Sequence, residues 1–348
     1  MDSTMLTEQE IESSYLGQFI PVHYHHNMLM DENRMMNFKA AIDYAVFPGA
    51  RVLELGGGTG VLSWFAAPKA KKVWCVEFNP DMVREARRLL SRNPHGQKVE
   101  VVQADAFEYL PPEPVDVVIC EMIHVAMLRE KQVEVIESFK RRYAQRFGGP
   151  LPVFVPQAVI MAVQPLQQDY NFQGYDAPIV QFRDPNSCSP QSVVMARPAV
   201  YSVLDFNSPV DMNISWEGRF RVERGGTVNT LRFITKNILA VVKEQSKAIE
   251  WSVAFMTTPL TSPLTVNPDD VLRIGFQYRA GGSIPSLMSA IRVEVNAAVR
   301  PAQVQPWPSL NRSGSAASSL TNKFLWGVRP IETRSRSGLA SPMRQAGA

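Results

Sequence analysis

Arg51-Val52-Leu53-Glu54-Leu55, Gly56-Gly57-Gly58-Thr59-Gly60 and Val61-Leu62-Ser63-Trp64-Phe65-Ala66-Ala67 follow one another as an apolar strand, a glycine loop and a helix start. Such a turn suits a nucleotide cofactor, because glycine lets the backbone bend sharply and approach a ligand more closely than a Cβ allows. A dinucleotide fingerprint wants a third glycine three residues after the second, and Val61 stands there instead. The glycines alternate at 56, 58 and 60, which fits S-adenosylmethionine (SAM), a cofactor cationic at sulfur with no pyrophosphate to seat on a helix terminus. Alone the turn is a weak signal, since a loop that merely needs positive φ would read the same way.

The flanking sequence adds three features. Lys72-Val73-Trp74-Cys75-Val76-Glu77 reads as a second strand ending in an acid seventeen residues after Gly60, where a carboxylate can accept both ribose hydroxyls. Pro80-Asp81 opens a helix with apolar residues at 82, 83, 86, 89 and 90. Val99 to Val102, followed by Gln103-Ala104-Asp105-Ala106, reads as a third strand whose closing acid suits the adenine amino group. Glu54, Gly56, Gly58, Gly60, Glu77, Asp105 and Ala106 are therefore expected to form the cofactor site.

With 348 residues, 45% hydrophobic and 20% charged, the chain has the makeup of an ordinary soluble protein and is long enough for two domains. No apolar run approaches the roughly 20 residues of a membrane span, and the acidic, polar Met1 to Glu12 is unlike a signal peptide. Cys75, Cys120 and Cys188 are odd in number and scattered, so neither a disulfide framework nor a zinc site is expected, and a reducing cytoplasm fits. His23, His25 and His26 lie close together, but nothing completes a metal shell around them. Residues 300–348 hold seven basic side chains against Glu332, a net of +6, so residues 1–299 carry −3 of the total +3. An acidic body suits a cationic substrate. The basic tail, rich in Ser, Gly, Ala and Pro, reads as disordered and solvated, and nucleic acid is not an expected partner.

In chain order, a helical segment over Tyr15 to Phe47 precedes the first strand, with Met28-Leu29, Met36, Ala40-Ala41 and Tyr44 as its stripe. The cofactor domain runs over 48–150 and ends at Gly148-Gly149-Pro150. Its fourth strand, Val115 to Cys120, delivers Glu121 to the edge where strand C-termini meet ligand, a catalytic position. Over 151–299 the texture becomes alternating and β-branched: 153–163, 199–206, 215–222, 230–242, 249–256, 271–278 and 291–299 read as strands, with Gly225-Gly226 a hairpin signal and 166–198 an irregular arm. The fold class is α/β: a doubly wound SAM-binding sheet with an N-terminal helical lid over 1–47, followed by an all-β barrel or sandwich and the tail.

Over roughly residues 15–299 the chain resembles the protein arginine N-methyltransferase family, which pairs a SAM-binding domain with a C-terminal β-barrel. Tyr15, Phe19, His25, Met28-Leu29, Asp31 and Arg34 reproduce the spacing of its lid motif. The resemblance implies that Arg34 pairs with the SAM carboxylate, that His25 and Met28 line the pocket, and that Glu77 holds the ribose. The family's mark is two glutamates on one loop after the fourth strand, and Glu121 and Glu130 stand at that separation. Two carboxylates can grip a guanidinium through charge-assisted, partly bidentate hydrogen bonds and leave one nitrogen aimed at a methyl donor, and the transfer then needs mainly proximity and orientation.

Several positions depart from the family. Between the glutamates stands Met122-Ile123-His124-Val125-Ala126-Met127-Leu128-Arg129, where Arg129 can occupy part of the acidic pocket. Phe19 replaces a tyrosine. The Thr-His-Trp loop corresponds to Ile249-Glu250-Trp251, so a carboxylate faces Asp31; either one of the two holds a proton, or a cation such as Lys236 or Lys243 bridges them, or the loop has shifted and Glu250 faces solvent. The 166–198 arm is short for a dimerisation arm, which leaves a homodimer weakly supported. The expected function is SAM-dependent N-methylation of a guanidinium, most directly protein arginine, held by Glu121 and Glu130. The alternatives are methylation of a small guanidino or amino compound, and a SAM-binding assembly or regulatory module without turnover.

Overall fold

The structure, a computed structural model, describes residues 22–185 and 191–296. Tyr15, Phe19, Cys188 and the basic tail lie outside the described residues. The lid comprises α1 (Val22–Met30) and α2 (Glu32–Ala45). Asp31 caps α2, its carboxylate accepting the Arg34 amide at 2.8 Å. The helix buries Arg34, Phe38, Ala41 and Ile42. Met36 and Tyr44, expected on the apolar stripe, are 63% and 41% exposed. The stripe lies one face over because Phe38 and Ile42, four residues apart, carry the larger buried surface.

The parallel sheet is built from β1 (Arg51–Leu55), α3 (Val61–Ala66), β2 (Lys72–Glu77), α4 (Pro80–Ser91), β3 (Val99–Gln103), β4 (Val117–Cys120), α5 (Gln132–Phe147) and β5 (Val153–Val155). Its strand order is β3-β2-β1-β4-β5. The order reverses at β1, which pairs with β2 on one side and β4 on the other. In such sheets the ligand crevice opens beyond the strand C-termini at that reversal. Leu55 and Cys120 are register partners there, so Gly56 and Glu121 leave the sheet side by side. Asn79 caps α4, and Met82, Val83, Ala86 and Leu90 are the buried face the sequence implies. The first three residues of the expected 153–163 strand belong to the parallel sheet, which thus extends past residue 150.

The remaining strands are antiparallel. After a cis Val155–Pro156 bond come β6 (Ala158–Gln168), the two-residue strands β7 (Asn171–Phe172) and β8 (Tyr175–Asp176), β9 (Gln181–Arg183), β10 (Ser192–Val194) and β11 (Ala199–Asp205). Then follow β12 (Asn213–Arg221), β13 (Gly226–Val242), β14 (Lys247–Ser252), β15 (Phe255–Val266), β16 (Val271–Arg279), helix α6 (Ile284–Ala290) and β17 (Arg292–Asn296). β10-β6-β13-β15-β9 form one sheet, with β11 added on β6 and β14 on β13, and β12-β16-β17 form another. Together they make the curled β domain. Gly225-Gly226 is not a hairpin: β12 pairs with β16 and β13 with β6, β14 and β15, so the turn moves the chain between sheets. Tyr201, Phe233, Phe276 and Tyr278 meet in an aromatic cluster with ring centroids 5.1–6.5 Å apart, within the range where aromatic pairs attract.

Candidate active site

Gly56, Gly58 and Gly60 all take left-handed φ, between 51° and 78°, which explains their alternation. A Cβ on Gly58 would stand 2.8 Å from the His25 ring, and one on Gly56 3.0 Å from the Met122 side chain. The lid and the acidic loop therefore both close on the turn. Beneath it, Glu54 is buried and accepts the Ser63 amide at 2.9 Å and the Ser63 hydroxyl, tying the start of α3 to β1. Desolvation pushes its carboxyl up to about 7 against the opposing pull of Ser63, Cys75 and Arg34.

At the end of β2, Glu77 accepts the amides of Gly58 at 2.9 Å and Asn79 at 2.8 Å, which fixes its carboxylate against the turn. Asp105 follows β3 and accepts the Phe107 amide through one oxygen at 2.8 Å. Ala106 lies beside it, and Met28 is half-buried on α1. Arg34, on the first turn of α2, places its guanidinium on the Glu121 carboxylate. Both side chains are about nine-tenths buried, and the Phe38 and Trp251 rings lie 5.4 and 5.9 Å from the guanidinium carbon. Arg34 therefore rests on an acid of the pair, where the resemblance implied a contact with the cofactor.

These groups fit SAM. At its glycines the turn lacks Cβ atoms, which lets the His25 ring and the Met122 side chain approach it closely. Glu77 and Asp105 offer acceptors to hydroxyl and amino groups, and Arg34 is the cation suited to a carboxylate. Among the described residues, no three His, Cys, Asp or Glu side chains gather to hold a metal ion.

The acidic loop, residues 121–130, has unusual backbone geometry. Ala126, Met127 and Arg129 have φ of 58°, 53° and 58°, each costing about 1 kcal/mol for a residue with a Cβ. The β domain and its C-terminal turn hold them so. Ala126 donates to the Thr235 hydroxyl at 2.7 Å and accepts from the Tyr278 hydroxyl at 2.8 Å. Gly281 donates to Met127 at 2.7 Å, and Arg129 to Gly282 at 2.8 Å. At the loop's start, Gln132 accepts the Met122 amide at 2.9 Å. His124 donates from Nδ1 to the Val125 carbonyl at 3.0 Å and packs edge-on against Phe182 of the arm. Burial pushes its pKa down to about 4, so it is neutral at pH 7. Desolvation by burial, with the charge of Glu121 adding to it, pushes the Glu130 carboxyl up to about 7; Arg129 and Arg34 pull it the other way.

Glu250, one residue before Trp251, is paired with Lys236 at 3.1 Å, so of the two lysines considered it is Lys236 that meets the glutamate. Its second oxygen is buried and has no hydrogen-bond partner among the described residues. Sequence reading missed Thr235, Tyr278, Phe38 and Met122. The first two lie more than a hundred residues beyond the loop, and no local pattern marks them.

Residues 52–145 match the family model described as a methyltransferase domain. The chain is 30% identical over 271 residues to an uncharacterized protein of Methanothermobacter thermautotrophicus, an alignment covering 77% of this chain and 97% of that one. It is 29% identical over 168 residues to protein arginine N-methyltransferase PRMT10 of Oryza sativa, covering 47% of this chain and 43% of the rice enzyme. Among solved structures, the Trypanosoma brucei PRMT1 enzyme-prozyme heterotetrameric complex with AdoHcy superposes with a TM-score of 0.60 at 17% identity, covering 78% of this chain and 96% of that one. The fold and the glycine turn thus define a class I methyltransferase with SAM as its methyl donor. The chain belongs to one family with the Methanothermobacter protein and is itself a divergent, protein arginine methyltransferase-like class I methyltransferase.

Proposed function

We propose that the chain N-methylates a guanidinium, that of arginine in a protein, held by Glu121 and Glu130, in the reducing cytoplasm that the buried free thiols Cys75 and Cys120 suit. One observation carries this reading: Glu121, at the sheet's ligand edge and on the same short loop as Glu130, already receives a guanidinium, that of Arg34. Two such carboxylates suit a planar cation with several N–H donors, which can satisfy both members at once. The Arg34 contact supports the fit of that group to the site.

His25, Met28, Arg34, Glu54, Gly56, Gly58, Gly60, Glu77, Asp105 and Ala106 form the cofactor site in this reading, Glu54 by holding the turn from beneath. Bound SAM supplies an electrophilic methyl on a sulfonium. The chain's own residues do the rest. Glu121 and Glu130 bind the acceptor and draw its charge to one side, the lid keeps water out, and Glu130, with a pKa near neutrality, takes the proton that the methylated nitrogen releases.

The test is incubation with methyl-labelled SAM and, separately, an arginine-rich peptide, small guanidino compounds and small amines. Label is expected in the peptide. Glu121→Gln should lower transfer by about a hundredfold or more with little change in SAM affinity. Label confined to the small compounds would replace protein arginine by a small acceptor. No label in any acceptor, with SAM bound, would remove the guanidinium reading.

A further inference from the structure

Ala126 stands midway between the two glutamates, is fully buried and has a left-handed backbone. Its amide and carbonyl have no water to turn to, so each needs a partner inside the protein. Both partners come from the β domain: Thr235 on β13 and Tyr278 on β16. The proton order is determined. A carbonyl cannot donate, so the single hydroxyl proton of Tyr278 goes to Ala126, and the Tyr201 hydroxyl, 3.0 Å away, is left to donate to the Tyr278 oxygen. All three side chains are buried, and the two tyrosine rings sit in the aromatic cluster, which leaves the hydroxyls little freedom.

We propose that Thr235 and Tyr278 are positioning residues: by gripping Ala126 from both sides they hold the acidic loop in its left-handed path and thereby fix the approach of Glu121 to Glu130. The proposal rests on the reading of that pair as the acceptor site. Relaxation of Ala126 to ordinary φ would re-aim the chain on both sides of it, and Glu130 lies only four residues further on. Gly281 and Gly282 hold Met127 and Arg129, so the strain cannot be passed along the loop. A β domain docked for stability alone would need apolar contact here, whereas two buried hydroxyls aimed at one peptide unit specify its conformation.

The experiment uses the full chain carrying Thr235→Val, which keeps the shape, or Tyr278→Phe, which removes one oxygen. Hydrogen exchange is followed over residues 122–130, the Glu130 carboxyl is titrated by NMR, and SAM binding by calorimetry serves as the control for folding. In each variant the Ala126 amide should exchange about tenfold faster. The Glu130 midpoint should fall toward the ordinary carboxylate range as the two acids separate, while SAM affinity stays within about twofold. Methyl transfer should lose about tenfold in kcat for each variant. Thr235→Ser should restore protection, midpoint and rate. Unchanged protection in both variants would overturn the proposal. So would faster exchange with the Glu130 midpoint and kcat of the parent. If Thr235→Val does not fold, Tyr278→Phe alone decides. Exchange and titration need no acceptor, so a parent chain that methylates no guanidinium, but whose variants show both shifts, refutes the function reading and leaves the clamp standing.

Discussion

In the proposed function, Glu130 couples the chemistry to pH. Its carboxyl is pushed up to about 7, so below neutrality it is largely a neutral acid and cannot complete an ionic grip on a cation. In the proposed function, kcat/KM for the acceptor should therefore rise with pH, with a midpoint near 7, and level off above it. A bound guanidinium favours the ionised form, so the corresponding limb of kcat should lie at lower pH. Glu130→Gln should abolish the limb and reduce turnover by about a hundredfold. Rate profiles of parent and variant between pH 5.5 and 8.5 decide this, and a variant that keeps the same midpoint would assign the titration to another group. Glu250 shows how a single side chain can escape a family pattern. The Lys236 ammonium at 3.1 Å offsets its charge, while the Asp31 carboxylate accepts the Arg34 amide.

Among the elements, α2 links most of the site's parts. It carries Arg34 in its first turn, buries Phe38, Ala41 and Ile42, and begins at the Asp31 cap. Removing that cap by Asp31→Ala should cost about 1 kcal/mol and let the first turn fray, releasing Arg34 from its place between Phe38 and Trp251. SAM affinity should drop about tenfold while the melting temperature falls by only about 2–4 °C. Calorimetry and a melting curve check the pair of values, and unaltered affinity would mean that Arg34 is held from elsewhere. The elements also mark what the sequence could reveal. The glycine turn was legible because alternate left-handed residues leave only glycine comfortable, and Glu77, Asp105 and Glu121 because strand ends project acids at one edge. The single strand read over 249–256 is two, β14 ending at Ser252 and β15 beginning at Phe255, and β15 runs on through Pro259 and Pro263. Its register jumps between Pro259 and Leu264, so Pro263 lies inside the interruption of the ladder with β13 and Pro259 at its border, an irregularity of the kind that accommodates proline in a strand. The grip of Thr235 and Tyr278 on Ala126 was not legible at all, because it joins strands 109 and 152 residues away through two hydroxyls.

Over the whole molecule, the buried titrating groups pull stability in opposite directions. Glu54 and Glu130 have folded pKa values raised from 4.5 to about 7. Between those values the folded chain holds protons that the unfolded chain has released, so each carboxyl makes stability fall as pH rises through that window. His124 is depressed from 6.5 to about 4, so between those values the unfolded chain binds the extra proton and stability rises with pH. The three shifts are of similar size, so from pH 4.5 to 6.5 one carboxyl cancels the histidine and the other remains. From 6.5 to 7 both carboxyls act unopposed. The ligand-free chain should therefore lose on the order of 3 kcal/mol between pH 4.5 and 7 and then level off. Denaturant unfolding at half-unit steps across pH 4.5–8 reads this slope, and Glu130→Gln should make the profile nearly flat up to 6.5. A parent chain whose stability climbs steadily to pH 7 would show that Glu54 and Glu130 are ionised in the folded state. A cationic acceptor should reverse the Glu130 contribution, because binding holds that carboxyl ionised, so the stabilisation it gives should grow as pH rises toward 7.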